Sequence, residues 1–122
     1  MSKPILGIIG GGQLGSMLAI AANKLKIKTV VFCEDINAPA QNFSNDFVHG
    51  EYGDKNKINE FLSKVDVVTY EFENIPYETL NEINKIKPVL PKPSVNRIIQ
   101  HRLAEKDLLT PCQIFFQQIH IL

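Results

Sequence analysis

The stretch "ILGIIGGGQLGSMLAIAANK", residues 5–24, leaves the chain few choices of fold. A short aliphatic run over residues 4–9 meets Gly10, Gly11 and Gly12, and a further glycine stands at 15. The apolar positions Leu14, Met17, Leu18, Ala21, Ala22 and Leu25 then recur at helical spacing. That order predicts a strand, a tight turn and a helix with those six residues on its core face. A second apolar run, "KTVVFC" at residues 28–33, predicts a strand covered on both faces, as a parallel sheet requires. The unit is β-α-β.

The same alternation continues. "FVHG" predicts a short third strand, and Asp54 is placed to cap a helix carrying Ile58, Phe61 and Leu62. "VDVVTYEF" predicts a fourth strand. Pro76 suits the first turn of another helix, with Leu80, Ile83 and Ile86 on its apolar face, and "PVLP" predicts a brief edge strand. Ser94 is placed to cap a last helix, "VNRIIQHRLAEKDLL". Strands alternating with helices predict an α/β, Rossmann-like fold: an open, mostly parallel sheet with helices on both faces.

Charge and cysteine content remove several function classes. The 122 residues carry no net charge, with 13 basic and 13 acidic side chains, so nothing favours nucleic acid or a membrane surface as partner. The apolar blocks are too short for a membrane span or a signal-peptide core, which predicts a cytoplasmic protein. Cys33 and Cys112 stand far apart with no Cys-x-x-Cys or paired His, so neither a disulfide framework nor a metal site is expected. His49 and His101 have no metal-type spacing and are read as packing or solvated side chains.

Two features carry chemistry. Gly10, Gly12 and Gly15 match G-x-G-x-x-G between a strand and a helix, where free N–H groups at the helix start favour a phosphate or a carboxylate. Gln13 and Leu14 lie inside the turn. A dinucleotide site would also want an acid at the end of the second strand; Cys33 stands there and Glu34 follows, so Glu34 is that reading's best residue. In "VVTYEFE", alternation puts Thr69, Glu71 and Glu73 on one face and Val68, Tyr70 and Phe72 on the other. Two carboxylates would then project at the carboxyl end of a parallel strand, beside the glycine turn, where open α/β sheets bind ligands.

"GIIGGGQLGSML", "DVVTYEFENIP" and "HRLAEKDLL", in this order and at these intervals, resemble the N-terminal, pre-ATP-grasp domain of the N5-carboxyaminoimidazole ribonucleotide synthetases. These are ATP-grasp ligases of purine biosynthesis, also known as the ATPase subunit of phosphoribosylaminoimidazole carboxylase. The resemblance covers residues 5–109. It implies an activity in which ATP and bicarbonate give carboxyphosphate, whose carbon passes to the exocyclic amine of aminoimidazole ribonucleotide, with magnesium neutralising the phosphates. It implies that Gly12, Gln13, Leu14, Glu71 and Glu73 line the ribonucleotide side of the cleft and that Arg102 reaches ATP; Lys106, one turn on, would add to an anion-attracting face. A homodimer is also implied. Cys33 departs from the family, which often has Asp there.

Beyond residue 109 the resemblance stops. "TPCQIFFQQIHIL", residues 110–122, is apolar and patternless, and the expectation is a domain over 1–109 followed by a divergent tail, with the central and C-terminal ATP-grasp domains absent. On that expectation the chain holds no catalytic residue of its own and binds neither ATP nor magnesium tightly. The alternative is a free-standing Rossmann-like module that binds a dinucleotide.

Overall fold

The computed structural model describes residues 3–71 and 75–93. Its elements are β1 (Leu6–Ile9), α1 (Gln13–Lys24), β2 (Thr29–Cys33), a 3₁₀ turn (Pro39–Asn42), β3 (Asp46–His49), α2 (Lys55–Leu62), β4 (Val67–Tyr70) and α3 (Tyr77–Asn84). The four strands form one sheet in the order β3-β2-β1-β4, and every pairing is parallel. The α/β expectation holds.

Connection geometry distributes the helices. From β1 the chain steps outward to β2 and β3, then crosses back to β4 on the far side of β1. Right-handed crossovers therefore put α1 on one face and α2 with α3 on the other. Packing agrees: Phe61 of α2 and Val65 just beyond it lie against Gly7 of β1. All five residues of β2 are buried, as the unbroken apolar run predicts for a strand with helices above and below. Phe32 of β2 packs on Phe61 with ring centroids 5.6 Å apart.

The capping prediction for α2 is met by Asp54, whose carboxylate accepts from the backbone N–H groups of Asn56 and Lys57. Such a cap is worth about 1 kcal/mol. Pro76 is the cap residue of α3 rather than a member of its first turn. "PVLP" makes a single parallel bridge, Val89 to Val68, framed by hydrogen bonds from Val68 N–H to the Pro88 carbonyl and from Leu90 N–H to the Val68 carbonyl. The prolines on either side prevent a longer ladder.

Two core-face expectations are corrected. On α1 the buried residues are Gly15, Ser16, Leu18, Ala19 and Ala22, whereas Met17, Ala21 and Leu25 face outward. The face that packs on the sheet carries Gly15, Leu18, Ala19 and Ala22, positions i, i+3, i+4 and i+7 of one stripe, and Met17, Ala21 and Leu25 lie off it. Ile86 is exposed because α3 ends at Asn84, before the periodicity reaches it. Ser94, the last helix and the tail lie outside the described residues, as do Phe72, His101 and Lys106.

Gly7 generates a direct test of the packing. A Cβ there would sit 2.6 Å from Phe61 Cζ and 3.0 Å from a Val65 methyl, both in the closed core. Gly7→Ala is expected to lower stability by about 1–3 kcal/mol in urea unfolding, the usual range for overpacking. Adding Phe61→Leu should recover part of the loss.

Candidate functional site at the glycine turn

β1 and β4 are neighbours in register, with Ile9 opposite Tyr70, so Gly10 and Glu71 leave the sheet side by side. This is where strand order reverses, the position at which open α/β sheets form their ligand crevice. Backbone bonds hold both exits: Gly10 N–H donates to the Phe32 carbonyl at 2.8 Å and Glu71 N–H to the Ile9 carbonyl at 2.9 Å.

Glu71 turns its side chain across the gap onto the start of α1. Its Oε1 accepts a hydrogen bond from Gly15 N–H at 2.9 Å, over 56 residues of sequence. The helix has no other side-chain cap and no acid in its first turn, so this carboxylate meets its positive end. A partly buried anion in that position is worth about 1–2 kcal/mol. The glycines make the approach possible. Gly10 adopts φ +104°, which a residue with a side chain rarely does, and a Cβ there would lie 2.7 Å from Glu71 Oε2. A Cβ on Gly15 would collide with the Gly10 carbonyl oxygen, and one on Gly12 would come to 3.2 Å from Oε1. Oε2 has no hydrogen-bond partner among the described residues.

The other predicted residues fall around this carboxylate. Gln13 opens α1 with its side chain exposed, and Leu14 is partly buried against the core cluster. Thr69 lies on the same face of β4 by alternation; it is buried, and its hydroxyl has no partner among the described residues. Glu73 and Arg102 lie outside the described residues.

Sequence reasoning missed Tyr52. Its ring stands 6.0 Å from that of Phe32, and it lies within the electrostatic reach of Cys33, Glu34 and Glu71. Burial first, then the negative fields of Cys33, Glu34 and Glu71, push its phenol well above the usual value. It is a neutral hydrogen-bonding group at any physiological pH. No spacing rule marks a lone tyrosine in "HGEYGD"; the chain brings it in through Glu34, whose Oε2 accepts from Tyr52 N–H at 3.1 Å. Glu34 is thus occupied with that loop, and its carbonyl oxygen is 3.0 Å from Nε2 of the exposed His49. Cys33 is buried at the strand end, as expected, and is a free thiol. Among the described residues no group of three His, Cys, Asp or Glu could hold a metal ion, and no helix is long and apolar enough to cross a membrane.

A raised phenol pKa means that the folded state retains this proton after the unfolded chain has lost it. Stability from Tyr52 is therefore complete below about pH 10 and declines as pH rises above it. Tyr52→Phe is expected to flatten the fall of the unfolding free energy between about pH 9 and 11, a window of about one pH unit either side of the free tyrosine value. Urea titrations across that range check it.

Comparison with known proteins agrees with this geometry. Residues 1–100 match the model of the ribonucleotide synthetase preATP-grasp domain. The N5-carboxyaminoimidazole ribonucleotide synthase of Staphylococcus epidermidis is 38% identical over 104 residues, which are 85% of this chain and 28% of that protein. The crystal structure of N5-carboxyaminoimidazole ribonucleotide synthetase from Thermus thermophilus superposes with a TM-score of 0.76 at 35% identity, covering 84% of this chain and 28% of that one. The Aspergillus clavatus N5-carboxyaminoimidazole synthase, solved in complex with ADP and 5-aminoimidazole ribonucleotide, superposes with a TM-score of 0.70 at 32% identity, over 80% of this chain and 26% of that one. The chain thus spans little more than a quarter of the length of these relatives. With the family model matched over residues 1–100 and these relatives alike in both sequence and fold, the chain belongs to the ribonucleotide synthetase preATP-grasp domain family.

Proposed function

We propose that this chain supplies the ribonucleotide-binding part of an ATP-dependent carboxylating ligase of purine biosynthesis. The reaction joins bicarbonate to the exocyclic amine of aminoimidazole ribonucleotide and releases ADP and phosphate. The observation that carries the reading is the Glu71 carboxylate, held at the start of α1 beside Gly12 and Gln13 at the sheet's switch point. The Aspergillus relative, solved with ADP and 5-aminoimidazole ribonucleotide, supports the choice of ligand.

Each residue has a role that its chemistry permits. Glu71 Oε2 accepts a hydrogen bond from a hydroxyl or amine of the ribonucleotide, while Oε1 stays bound to Gly15. Gln13 offers an amide donor and acceptor at the rim, Leu14 an apolar wall, and Gly12 a bare backbone that a ligand can approach. Glu73 is proposed as a second acceptor and Arg102 as the residue that reaches ATP. Fixing the ribonucleotide fixes its amine, and orientation of a nucleophile before attack can account for a large part of a rate enhancement. ATP with magnesium supplies the phosphoryl chemistry in the complete ligase. We place residues 1–109 in the binding domain, residues 110–122 in a divergent tail, and the protein in the cytoplasm.

Calorimetric titration of the 122-residue protein with aminoimidazole ribonucleotide is expected to show binding that Glu71→Ala weakens by about tenfold or more, ~1.4 kcal/mol. A thermal melt of the variant checks its fold. Unchanged ribonucleotide affinity in a folded Glu71→Ala protein, or a preference for NADH, would defeat the proposal.

A further inference from the structure

We propose that residues 110–122 of this chain dock in the open groove between α2 and α3, with a phenyl ring of Phe115 or Phe116 as the anchor. The docking does not depend on the ribonucleotide reading.

The groove follows from how two short helices lie on one face of the sheet. α2 turns Ile58, Phe61 and Leu62 inward and α3 turns Leu80 and Ile83 inward, each helix being eight residues long. Between them remains a cavity of about 260 Å³ with Tyr52, Ile58, Ile83 and Ile86 among its walls. Ile58 and Ile83 are closed off from water, but Ile86 is 60% exposed although it continues the spacing of Leu80 and Ile83. An apolar cleft with an uncovered isoleucine beside it is a contact surface without its cover. Size points to an aromatic occupant. An apolar cavity of about 150 Å³ is enough for a benzene ring, so this larger one can take a phenyl ring with part of a neighbouring side chain.

The same chain carries a segment that fits. "TPCQIFFQQIHIL", residues 110–122, contains Ile114, Phe115, Phe116, Ile119, Ile121 and Leu122 and no Lys, Arg, Asp or Glu. Left in water such a run promotes aggregation, and it needs an apolar seat that asks for no ion pair. The groove offers one. Its charged margin carries both signs, Lys55 on α2 against Glu78 and Glu82 on α3, so it favours neither an acidic nor a basic partner. Gln113, Gln117 and Gln118 can hydrogen-bond to either side of it.

Chain length permits the approach. The described residues run on from Ile86 to Pro93, with Leu90 N–H bound to the Val68 carbonyl of β4. Residues 94–109 then separate Pro93 from the tail, a stretch that spans roughly 24–50 Å between its helical and extended limits. That is comparable to the breadth of a domain of this size, so the groove is within reach. A tethered segment also needs far less intrinsic affinity than a free partner, which favours the tail over a second copy of the chain.

Nuclear Overhauser contacts in the full chain test the docking. Ring protons of Phe115 or Phe116 are expected to contact the methyl groups of Ile83 and Ile86. A mixture of methyl-labelled, otherwise deuterated chains with unlabelled chains should show no such contacts, because docking is intramolecular. Phe115→Ala with Phe116→Ala should remove the contacts and speed hydrogen exchange at the Ile86 and Lys87 amides, both bonded to the Ile83 carbonyl, by about tenfold. Ile86→Glu, at an exposed position, should do the same from the side of the groove. Absence of the contacts in the unmodified protein would overturn the proposal. So would contacts directed instead to Met17 and Ile20 on α1, which are also exposed, or contacts that appear in the mixed sample and so belong to a second copy. Unchanged exchange in a folded double variant would sink it too.

Discussion

One hydrogen bond, from the Gly15 N–H to the Glu71 carboxylate, ties the first β-α turn to the end of the strand that crosses back over it. The two groups are 56 residues apart, and each solves the other's problem. A helix start without its own capping side chain gains an acceptor, and a partly buried carboxylate gains a donor and the positive end of a helix. The shape of the turn follows, because only glycine at 10 tolerates the backbone twist and only a bare Cα at 15 clears the Gly10 carbonyl.

The sheet makes that meeting reproducible. β1 lies between β2 and β4 with every strand parallel, so all carboxyl ends open on one edge. α1 can sit close to that sheet because Gly15, Ser16, Ala19 and Ala22 are small. On the opposite face Phe61, Leu62, Ile58 and Val65 close the layer over Gly7 and Phe32.

The crevice is chemically one-sided. Glu71, Glu34, the neutral Tyr52 and the Cys33 thiol gather where the glycines leave the backbone bare. Such an edge can hold and orient hydroxyl and amine groups. Phosphoryl transfer needs cations around the phosphates, so under the proposed function the task left to this arrangement is to orient the ribonucleotide.

Much of this was legible in the sequence. The alternation of apolar runs and helical spacing gave the α/β order, the glycine spacing marked the turn, Asp54 announced its cap, and Glu71 was placed at the carboxyl end of its strand beside that turn. These are local signals, set by backbone sterics and by periods of two and 3.6 residues. The buried stripe of α1 differs from the spacing-based expectation, because a helix with apolar residues around much of its circumference has more than one face it could turn to the sheet; the face with Gly15, Leu18, Ala19 and Ala22 packs, and Met17, Ala21 and Leu25 lie outside it. Tyr52 and the filling of the turn by Glu71 could be decided only in three dimensions. Both depend on where distant segments are delivered by the crossovers, a matter of packing and handedness that no short stretch of sequence encodes.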